Sequence, residues 1–260
     1  MKFTTWNVNS INARINHLIK FIKTDQSDIY LLQELKCIEE NFPIQEIEEL
    51  GYKSYINGQK AWNGVAFLSK KPLKILNNNI PTFKEDDNAR FLEAEIILKK
   101  LNKKIRLINI YLPNGNPIET SKFDYKIEWM KKFNKYILDL YDKNIPIIIG
   151  GDFNVIPNDE DVYSPENFKN DACAHPKTRE QFRILINGGF TDTVKYYIEG
   201  NTNWTFWGYR GGGWQKGNGL RIDHFLTTPE VTDIINNVKI NRDPRSWEKA
   251  SDHTPVILEI

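Results

Sequence analysis

The sequence has few cysteines and lacks long apolar runs. Cys37 and Cys173 are the two cysteines among 260 residues, too few for a disulfide framework or a cysteine-based zinc site. No run approaches the roughly 18 consecutive apolar residues of a membrane-spanning helix. The first residues form a strand-like pattern without the apolar segment of a secretory signal. We therefore expect a cytoplasmic protein in a reducing setting, with no membrane partner.

An excess of charge of one sign is also missing. Lysine and arginine number 35, against 34 aspartate and glutamate residues. Proteins that bind nucleic acid non-specifically are usually more basic, so this balance argues mildly against nucleic acid as a partner. The objection weakens if part of the acidic count forms a metal site, because positive charge is then in excess elsewhere.

Flexible linkers, low-complexity tracts and short repeats are absent as well, which predicts one domain over residues 1–260. Apolar periodicity predicts helices over residues 12–24, 120–141 and 178–187. Strand-like runs cover residues 2–7, 29–33, 65–69, 91–98, 105–112, 145–149, 222–227 and 256–260. Short strands with turn signals and a few outer helices predict two packed sheets covered by helices.

Polar side chains recur where these apolar strands begin or end. They are Asn7, Glu34, Tyr111, Asp152, Asn154, Asp223, Asp252 and His253. If these positions meet at one edge of the sandwich, the carboxylates repel one another unless a cation neutralises them or their pKa values shift. Oxygen ligands favour Mg²⁺ or Mn²⁺ over zinc. Amide, phenol and imidazole groups add donors for phosphate oxygens, so the set suggests metal-assisted phosphodiester hydrolysis.

Each of these residues alone has an ordinary structural interpretation. Asp152 would be a turn former or helix cap, and Asn7 would form a local turn with its own backbone. His253 would be a structural histidine. Asp223 is harder to explain, because a carboxylate inside an apolar strand needs a partner. The functional interpretation rests on the joint occurrence of all of these positions.

Several motifs connect these positions to a known family. They are Trp6-Asn7-Val8-Asn9-Ser10, Leu32-Gln33-Glu34-Leu35-Lys36, Tyr111-Leu112-Pro113-Asn114-Gly115, Gly151-Asp152-Phe153-Asn154, Leu220-Arg221-Ile222-Asp223 and Ser251-Asp252-His253-Thr254-Pro255. With them the chain resembles exonuclease III, the bacterial AP endonuclease group of the endonuclease/exonuclease/phosphatase superfamily. The resemblance runs from Lys2 to the C-terminus. The motif that begins at Tyr111 and the segment Phe206-Trp207-Gly208-Tyr209-Arg210 point to the DNA-repair branch.

The resemblance implies an α/β (α+β) fold, a four-layer αββα sandwich of two mostly antiparallel sheets. It also implies a Mg²⁺-dependent nuclease, with Mn²⁺ as a substitute, that cuts duplex DNA 5′ to abasic sites and acts on 3′ ends. The implied metal ligands are Glu34, Asn7, Asp252, Asp152 and Asn154. Asp152 would orient or deprotonate the attacking water, while Tyr111 and Asn154 would donate to the scissile phosphate. His253, paired with Asp223, would stabilise charge in the transition state.

The same resemblance suggests DNA contacts. Phe206, Leu220 and Ile222 match an apolar pocket for a base-free sugar, although core packing is nearly as good an interpretation for Ile222. Trp207 and Arg210 lie in a glycine-rich stretch that could stack on bases and meet phosphates. Candidates for contact with the DNA backbone are Arg90, Lys122, Lys126, Arg179 and Arg245.

Two other functions stay open on the sequence. The superfamily chemistry could act on an inositol phosphate, a sphingolipid or RNA, but the segment from Phe206 to Arg210 argues against these substrates. A DNA-binding protein with an inactive site would require a lost ligand, whereas the residues named above are all present. A monomer is expected, since duplex DNA must reach one face, and no partner protein is implied.

Overall fold

Two six-stranded sheets form the centre of the molecule in the computed structural model, which describes residues 1–200 and 202–260. With strands numbered along the chain, the first sheet has the spatial order β11 (Asn237–Ile240), β12 (Val256–Glu259), β1 (Lys2–Asn7), β2 (Ile29–Gln33), β4 (Val65–Ser69) and β3 (Lys53–Asn57). The second sheet has the order β5 (Lys74–Asn77), β6 (Phe91–Leu98), β7 (Lys103–Tyr111), β8 (Ile147–Asp152), β10 (Asp223–Thr227) and β9 (Thr191–Asp192).

The helices lie on the outer faces and in the connections. They are α1 (Ile11–Asp25), α2 (Ile44–Glu48), α3 (Ser121–Tyr141), α4 (Pro176–Asn187), α5 (Thr193–Tyr197), α6 (Gly213–Lys216) and α7 (Pro229–Thr232). Short 3₁₀ turns cover Glu39–Asn41, Asp159–Asp161, Pro165–Phe168, Arg210–Gly212 and Asp243–Ser246. Within the described ranges, no helix combines the length and the apolar character needed to cross a bilayer.

Three apolar clusters separate the four layers. The first lies between the two sheets and includes Phe67, Leu107 and Phe225. The second fills the space between the second sheet and the α3–α4 pair, and the third packs α1 and α2 on the first sheet. Strands that are buried on both faces read as continuous apolar runs, as in residues 147–149. The predicted four-layer sandwich is confirmed.

Each sheet contains one parallel pair, and these pairs bring the strand ends together. In the first sheet β1 runs parallel to β2, so that Asn7 lies beside Gln33. In the second sheet β7 runs parallel to β8, which places Tyr111 beside Asp152. The antiparallel strand β10 begins at Asp223, directly opposite Asp152. Polar residues that are far apart in the chain therefore reach one edge of the sandwich.

Candidate active site

The site is centred on His253, whose imidazole lies between two carboxylates. Its Nδ1 is 2.9 Å from Oδ2 of Asp223, and its Nε2 is 3.7 Å from Oδ2 of Asp152. All three side chains are buried. The hydroxyl of Thr205 donates to the same Asp223 oxygen at 2.6 Å. The carboxylate inside the apolar strand therefore has the partners that its burial requires.

The charges of His253, Asp223 and Asp152 shift one another's pKa values. Burial alone would lower the pKa of His253, but the charges of Asp223 and Asp152 outweigh burial and hold that pKa above its ordinary value. Burial raises the pKa of Asp152; the His253 charge opposes this rise, and the Asp223 charge adds to it. The imidazole is therefore charged at neutral pH, and Asp152 is more basic than an exposed aspartate.

Asp152 is held by groups from two other strand ends. The Asn7 side chain donates to Oδ2 of Asp152 at 2.9 Å, and the backbone N–H of Asn154 donates to Oδ1 at 2.9 Å. The glycine before Asp152 allows β7 and β8 to approach closely, because a Cβ at Gly151 would lie 2.1 Å from the backbone oxygen of Ile110. The hydrogen bonds from Asn7 and Asn154 thus fix the orientation of the Asp152 carboxylate.

Asn154 adopts a left-handed backbone conformation, with φ of 47°. Its side-chain nitrogen donates to the backbone oxygen of Leu112 at 2.9 Å, and its side-chain oxygen accepts from Asn114 at 3.1 Å. An amide nitrogen carries two hydrogens, so one remains for a ligand. Strained conformations of this kind persist where the surroundings over-determine them, which is common at functional sites.

Glu34 forms a second acidic centre. It too has a left-handed backbone, with φ of 53°. The Tyr111 hydroxyl donates to one carboxylate oxygen, and the Lys36 ammonium lies 3.0 Å from the other. Burial opposes ionisation, but Lys36 and Tyr111 outweigh it and hold the pKa of Glu34 below its ordinary value. Glu34 is therefore a carboxylate at neutral pH.

Asp252 is positioned by the N-terminal strand. Its Oδ1 accepts from the Asn9 side chain at 2.9 Å, and the neighbouring Ser251 hydroxyl donates to the backbone oxygen of Asn7 at 2.7 Å. Asp252 is partly exposed, unlike the buried Asp152 and Asp223. The segment after Ala250 is thus tied to the end of β1.

A pocket of about 360 Å³ joins these groups. Its polar wall contains Glu34, Tyr111, Asn114, Asp152, Asn154, Asp171, Asp252 and His253, and its apolar wall contains Phe168, Cys173, Phe206, Leu220 and Ile222. The Phe206 ring meets the His253 ring edge-on at a centroid distance of 4.9 Å. The structure therefore brings four predicted catalytic residues and the predicted apolar pocket to one cavity: Tyr111, Asp152, Asn154 and His253 line it. The fifth, Asp223, reaches the cavity through its contact with His253.

The oxygen donors fit a divalent metal ion. Atoms of Asp152, Asp223 and His253 lie within 4.8 Å of one another, as a metal site would require. The His253 ring already binds Asp223 through Nδ1, which favours its charged form, and its single charge offsets one of the two carboxylates. Glu34 and Asp252 line the same pocket and are more accessible, so their oxygens could hold a hard cation.

Four of the predicted DNA contacts are at least partly accessible to solvent. One is Arg179, which is partly exposed and pairs with Asp159 at 2.8 Å. Lys122 is exposed at the start of α3, and Arg210 is exposed in the glycine-rich segment. Arg90 is partly exposed beside the pocket, where its guanidinium stacks on the Tyr111 ring at 4.9 Å. These four residues remain predicted DNA contacts.

Three predicted DNA contacts, Lys126, Trp207 and Arg245, are buried in the structure, so these predictions were wrong. Lys126 is fully buried and donates to the backbone oxygens of Pro113, Asn114 and Asn154 at 2.7 to 3.1 Å, so its charge does not face DNA. Trp207 is 2% exposed and packs edge-on against Trp214, which leaves no face for a base. Arg245 is also buried, where it donates to the backbone oxygen of Trp207.

Sequence reasoning missed several polar groups at the site. Thr205 binds Asp223, and Lys36 binds Glu34. Arg221, which lies between the pocket residues Leu220 and Ile222, forms a buried ion pair with Asp161 at 2.7 Å. Lys36 follows Glu34 by two residues and Arg221 precedes Asp223 by two, so both lay inside the motifs. Only their contacts distinguish them from ordinary surface charges.

The chain is similar to known nucleases over nearly its whole length. Residues 4–253 match the Endonuclease/Exonuclease/phosphatase family. An exodeoxyribonuclease III of Haemophilus influenzae is 34% identical over 267 residues, covering 100% of this chain and 99% of that protein. The 3′ phosphatase NExo from Neisseria, solved with a product DNA hairpin, superposes with a TM-score of 0.94 at 32% identity, covering 100% of this chain and 99% of that one. An AP endonuclease from Archaeoglobus fulgidus gives 0.91 at 31% identity, covering 99% and 98%.

Proposed function

Because the chain belongs to the Endonuclease/Exonuclease/phosphatase family, we propose that it is a metal-dependent DNA-repair nuclease. Its similarity to an exodeoxyribonuclease III over the full length of both proteins confirms the family resemblance inferred from the motifs. The proposed reaction is hydrolysis of the phosphodiester 5′ to an abasic site and removal of nucleotides or blocking groups at 3′ ends of duplex DNA.

The main support is the Asp223–His253–Asp152 arrangement at the floor of a pocket that also contains Glu34 and Asp252. A charged imidazole and a nearby basic carboxylate suit an in-line displacement at phosphorus, where negative charge develops on the phosphate oxygens. Asp152 is the proposed group that orients and deprotonates the attacking water. His253 is the proposed donor to the developing charge, held in position by Asp223.

We assign the metal to Glu34 and Asp252, with Mg²⁺ as the preferred ion and Mn²⁺ as a substitute. A bound divalent ion would act as a Lewis acid on the phosphate. Asn7 acts through Asp152, since its amide fixes one carboxylate oxygen. Asn154 is a proposed donor to the phosphate, and Tyr111 would become one when its hydroxyl turns from Glu34, its acceptor in this structure. Burial and the Glu34 charge raise the pKa of Tyr111, so its hydroxyl keeps its proton.

Phe206, Leu220 and Ile222 would receive the base-free sugar. Such a sugar lacks the bulk and the polar edge of a base, so a small apolar wall beside the phosphate site can accept it. Arg90, Lys122 and Arg210 would contact the DNA backbone around that pocket. One chain carries every proposed catalytic group, which supports a monomer. Free Cys37 and Cys173 support a reducing, cytoplasmic setting.

The deciding experiment uses an end-labelled DNA duplex with one abasic-site analogue, incubated with Mg²⁺ or with EDTA. A single metal-dependent cut 5′ to the analogue supports the full proposal. A ladder growing from the 3′ end instead shows that the exonuclease reaction dominates. Tight binding without cleavage would replace the proposal with a DNA-binding protein. Neither binding nor cleavage would direct the search to phosphorylated small molecules and lipids.

A further inference from the structure

A second concave surface lies at the end of the sandwich opposite the candidate active site. This edge groove has a volume of about 710 Å³ and is lined by Lys71, Pro72, Leu73, Lys74, Glu95, Ile96, Ile97, Lys99 and Lys104. Its β6 and β7 residues lie far from Tyr111, the last residue of β7, which lines the candidate active-site pocket. Lys104 and Tyr111 are separated by about 24 Å along the strand, at ~3.4 Å per residue.

The groove presents apolar side chains to solvent. Ile97 is 59% exposed, although β-branched side chains in strands usually pack against a neighbour. Leu73 and Ile96 form the floor at the rim of the core between the sheets. The groove therefore combines one exposed apolar side chain with a largely buried apolar floor.

The strand edge beside Ile97 lacks a neighbour within the part of the chain that the structure describes. Pairing between β5 and β6 starts at Lys74 and Glu95, whereas β6 continues to pair with β7 as far as Leu98. The chain before β5 does not extend the ladder, because the backbone N–H of Leu73 donates to the Tyr55 hydroxyl at 2.9 Å. An extended segment could therefore lie along the last residues of β6 and add backbone hydrogen bonds.

The rim of the groove is positively charged. Four lysines surround it, Lys71, Lys74, Lys99 and Lys104. Lys71 lies 3.9 Å from Asp28, whereas Lys74 and Lys99 make no ion pair with the residues that the structure describes. The Glu95 carboxylate already forms two ion pairs, since its oxygens lie 2.9 Å from Lys104 and 2.8 Å from Arg106. Lysine stems can cover apolar surface while their ammonium groups meet a charged partner. The complementary ligand is thus both acidic and apolar.

We propose that the edge groove binds an extended segment of a partner protein in which acidic and apolar residues alternate. Its apolar side chains would contact Ile97 and Leu73, and its carboxylates would face the rim lysines. Because the two sides of a strand alternate, such a segment can satisfy both requirements at once. The distance from the pocket leaves the DNA site open while the partner is bound.

The test is selection of random peptides, displayed on phage, against the immobilised full-length chain. Enriched peptides would be synthesised and their affinities measured by fluorescence anisotropy. We expect sequences that combine Asp or Glu with Leu, Ile or Phe, and binding that weakens as salt increases. Ile97→Asp should weaken binding at least tenfold, and so should the Lys74→Glu/Lys99→Glu double variant. Ile184→Asp, at an exposed isoleucine on α4, is the matched control and should bind as the wild type does.

Several results would overturn the proposal. They are the absence of enrichment, enrichment of basic or purely apolar peptides, and equal binding to the wild type and the lysine double variant. Light scattering that shows a dimer, converted to a monomer by Ile97→Asp, would assign the groove to a second copy of the chain. Cleavage of abasic-site DNA should be unchanged in all groove variants, so a failure here is separate from a failure of the proposed nuclease.

Discussion

The imidazole Nδ1 of His253 lies 2.9 Å from Oδ2 of Asp223, and both side chains are buried. A histidine that donates from Nδ1 to a carboxylate is fixed in its ring orientation and favoured in its charged form. The other ring nitrogen then faces Asp152 and the pocket. This pair ties the end of the chain to β10, and the proposed chemistry depends on it.

Asp223→Asn should therefore slow phosphodiester cleavage by about 10²- to 10⁴-fold, as expected when an aspartate no longer holds a catalytic histidine. Asparagine keeps the size of the side chain but removes the charge that favours the imidazolium. Single-turnover cleavage of an abasic-site duplex measures the rate, and binding in EDTA should stay within about twofold. Asp139→Asn, at an exposed acid on α3, is the control. Equal loss of binding and cleavage would contradict the assigned role.

Glu34→Gln should raise the Mg²⁺ concentration needed for half-maximal cleavage by at least about tenfold, because a neutral amide is a weaker ligand for a hard cation. Mn²⁺ binding, followed by its electron paramagnetic resonance signal, should weaken in parallel. Lys36→Met leaves the proposed ligands in place and removes a positive charge 3.0 Å from Glu34, so it should bind Mn²⁺ at least as tightly as the wild type. Unchanged metal binding in Glu34→Gln would show that Glu34 is not a metal ligand.

Arg221→Met should destabilise the fold by about 3 to 5 kcal/mol, the range for breaking a buried ion pair. The guanidinium lies 2.7 Å from both Asp161 and Asp192, and its side chain is 1% exposed. Loss of the arginine would leave two carboxylates uncompensated in the interior. Lys103→Met removes an exposed pair with Glu230 and should cost at most about 1 kcal/mol. Urea unfolding of both variants gives the comparison, and similar losses would contradict it.

Acidification should destabilise the protein through His224. Burial, followed by the nearby Arg221 charge, lowers the pKa of His224 below its ordinary value, so the folded protein keeps this ring neutral. Below about pH 6.5 the unfolded chain binds a proton that the folded chain excludes, and stability falls by up to about 1.4 kcal/mol per pH unit. Above that pH the contribution is fully present. Unfolding free energies at pH 7.5, 6.5 and 5.5 should fall more steeply for the wild type than for His224→Asn. Parallel curves would show that His224 contributes nothing to the pH dependence.

Lys126→Met should reduce stability by about 3 kcal/mol, because three backbone oxygens lose their donor. It should leave the salt dependence of DNA affinity unchanged, since the ammonium is buried. Lys122→Ala should do the reverse: its stability should match the wild type, and the logarithmic salt slope should fall by about one unit. A reduced salt slope in Lys126→Met would restore Lys126 as a phosphate contact.

Apolar patterning predicted most of the central strands. The predicted ranges for β1, β2, β4 and β6 agree with the structure, because most of their residues are buried in the interior of the fold and are apolar or β-branched. Four strands were missed, and all lie at or near sheet edges. β9 has two residues, both polar, and β11 alternates exposed and buried positions over four residues. Such strands exist because a neighbour offers a ladder, which local sequence does not reveal.

By itself, the sequence determined the family, the layered fold and the identity of the acidic, amide and imidazole groups, because motifs and strand periodicity are local properties. The tertiary structure alone decided which side chains reach the pocket. Lys122 and Lys126 lie one helical turn apart on α3, yet one is exposed and the other is buried against residues 113–114 and 154. Burial and pKa depend on contacts between distant parts of the chain, and only the packed fold creates those contacts.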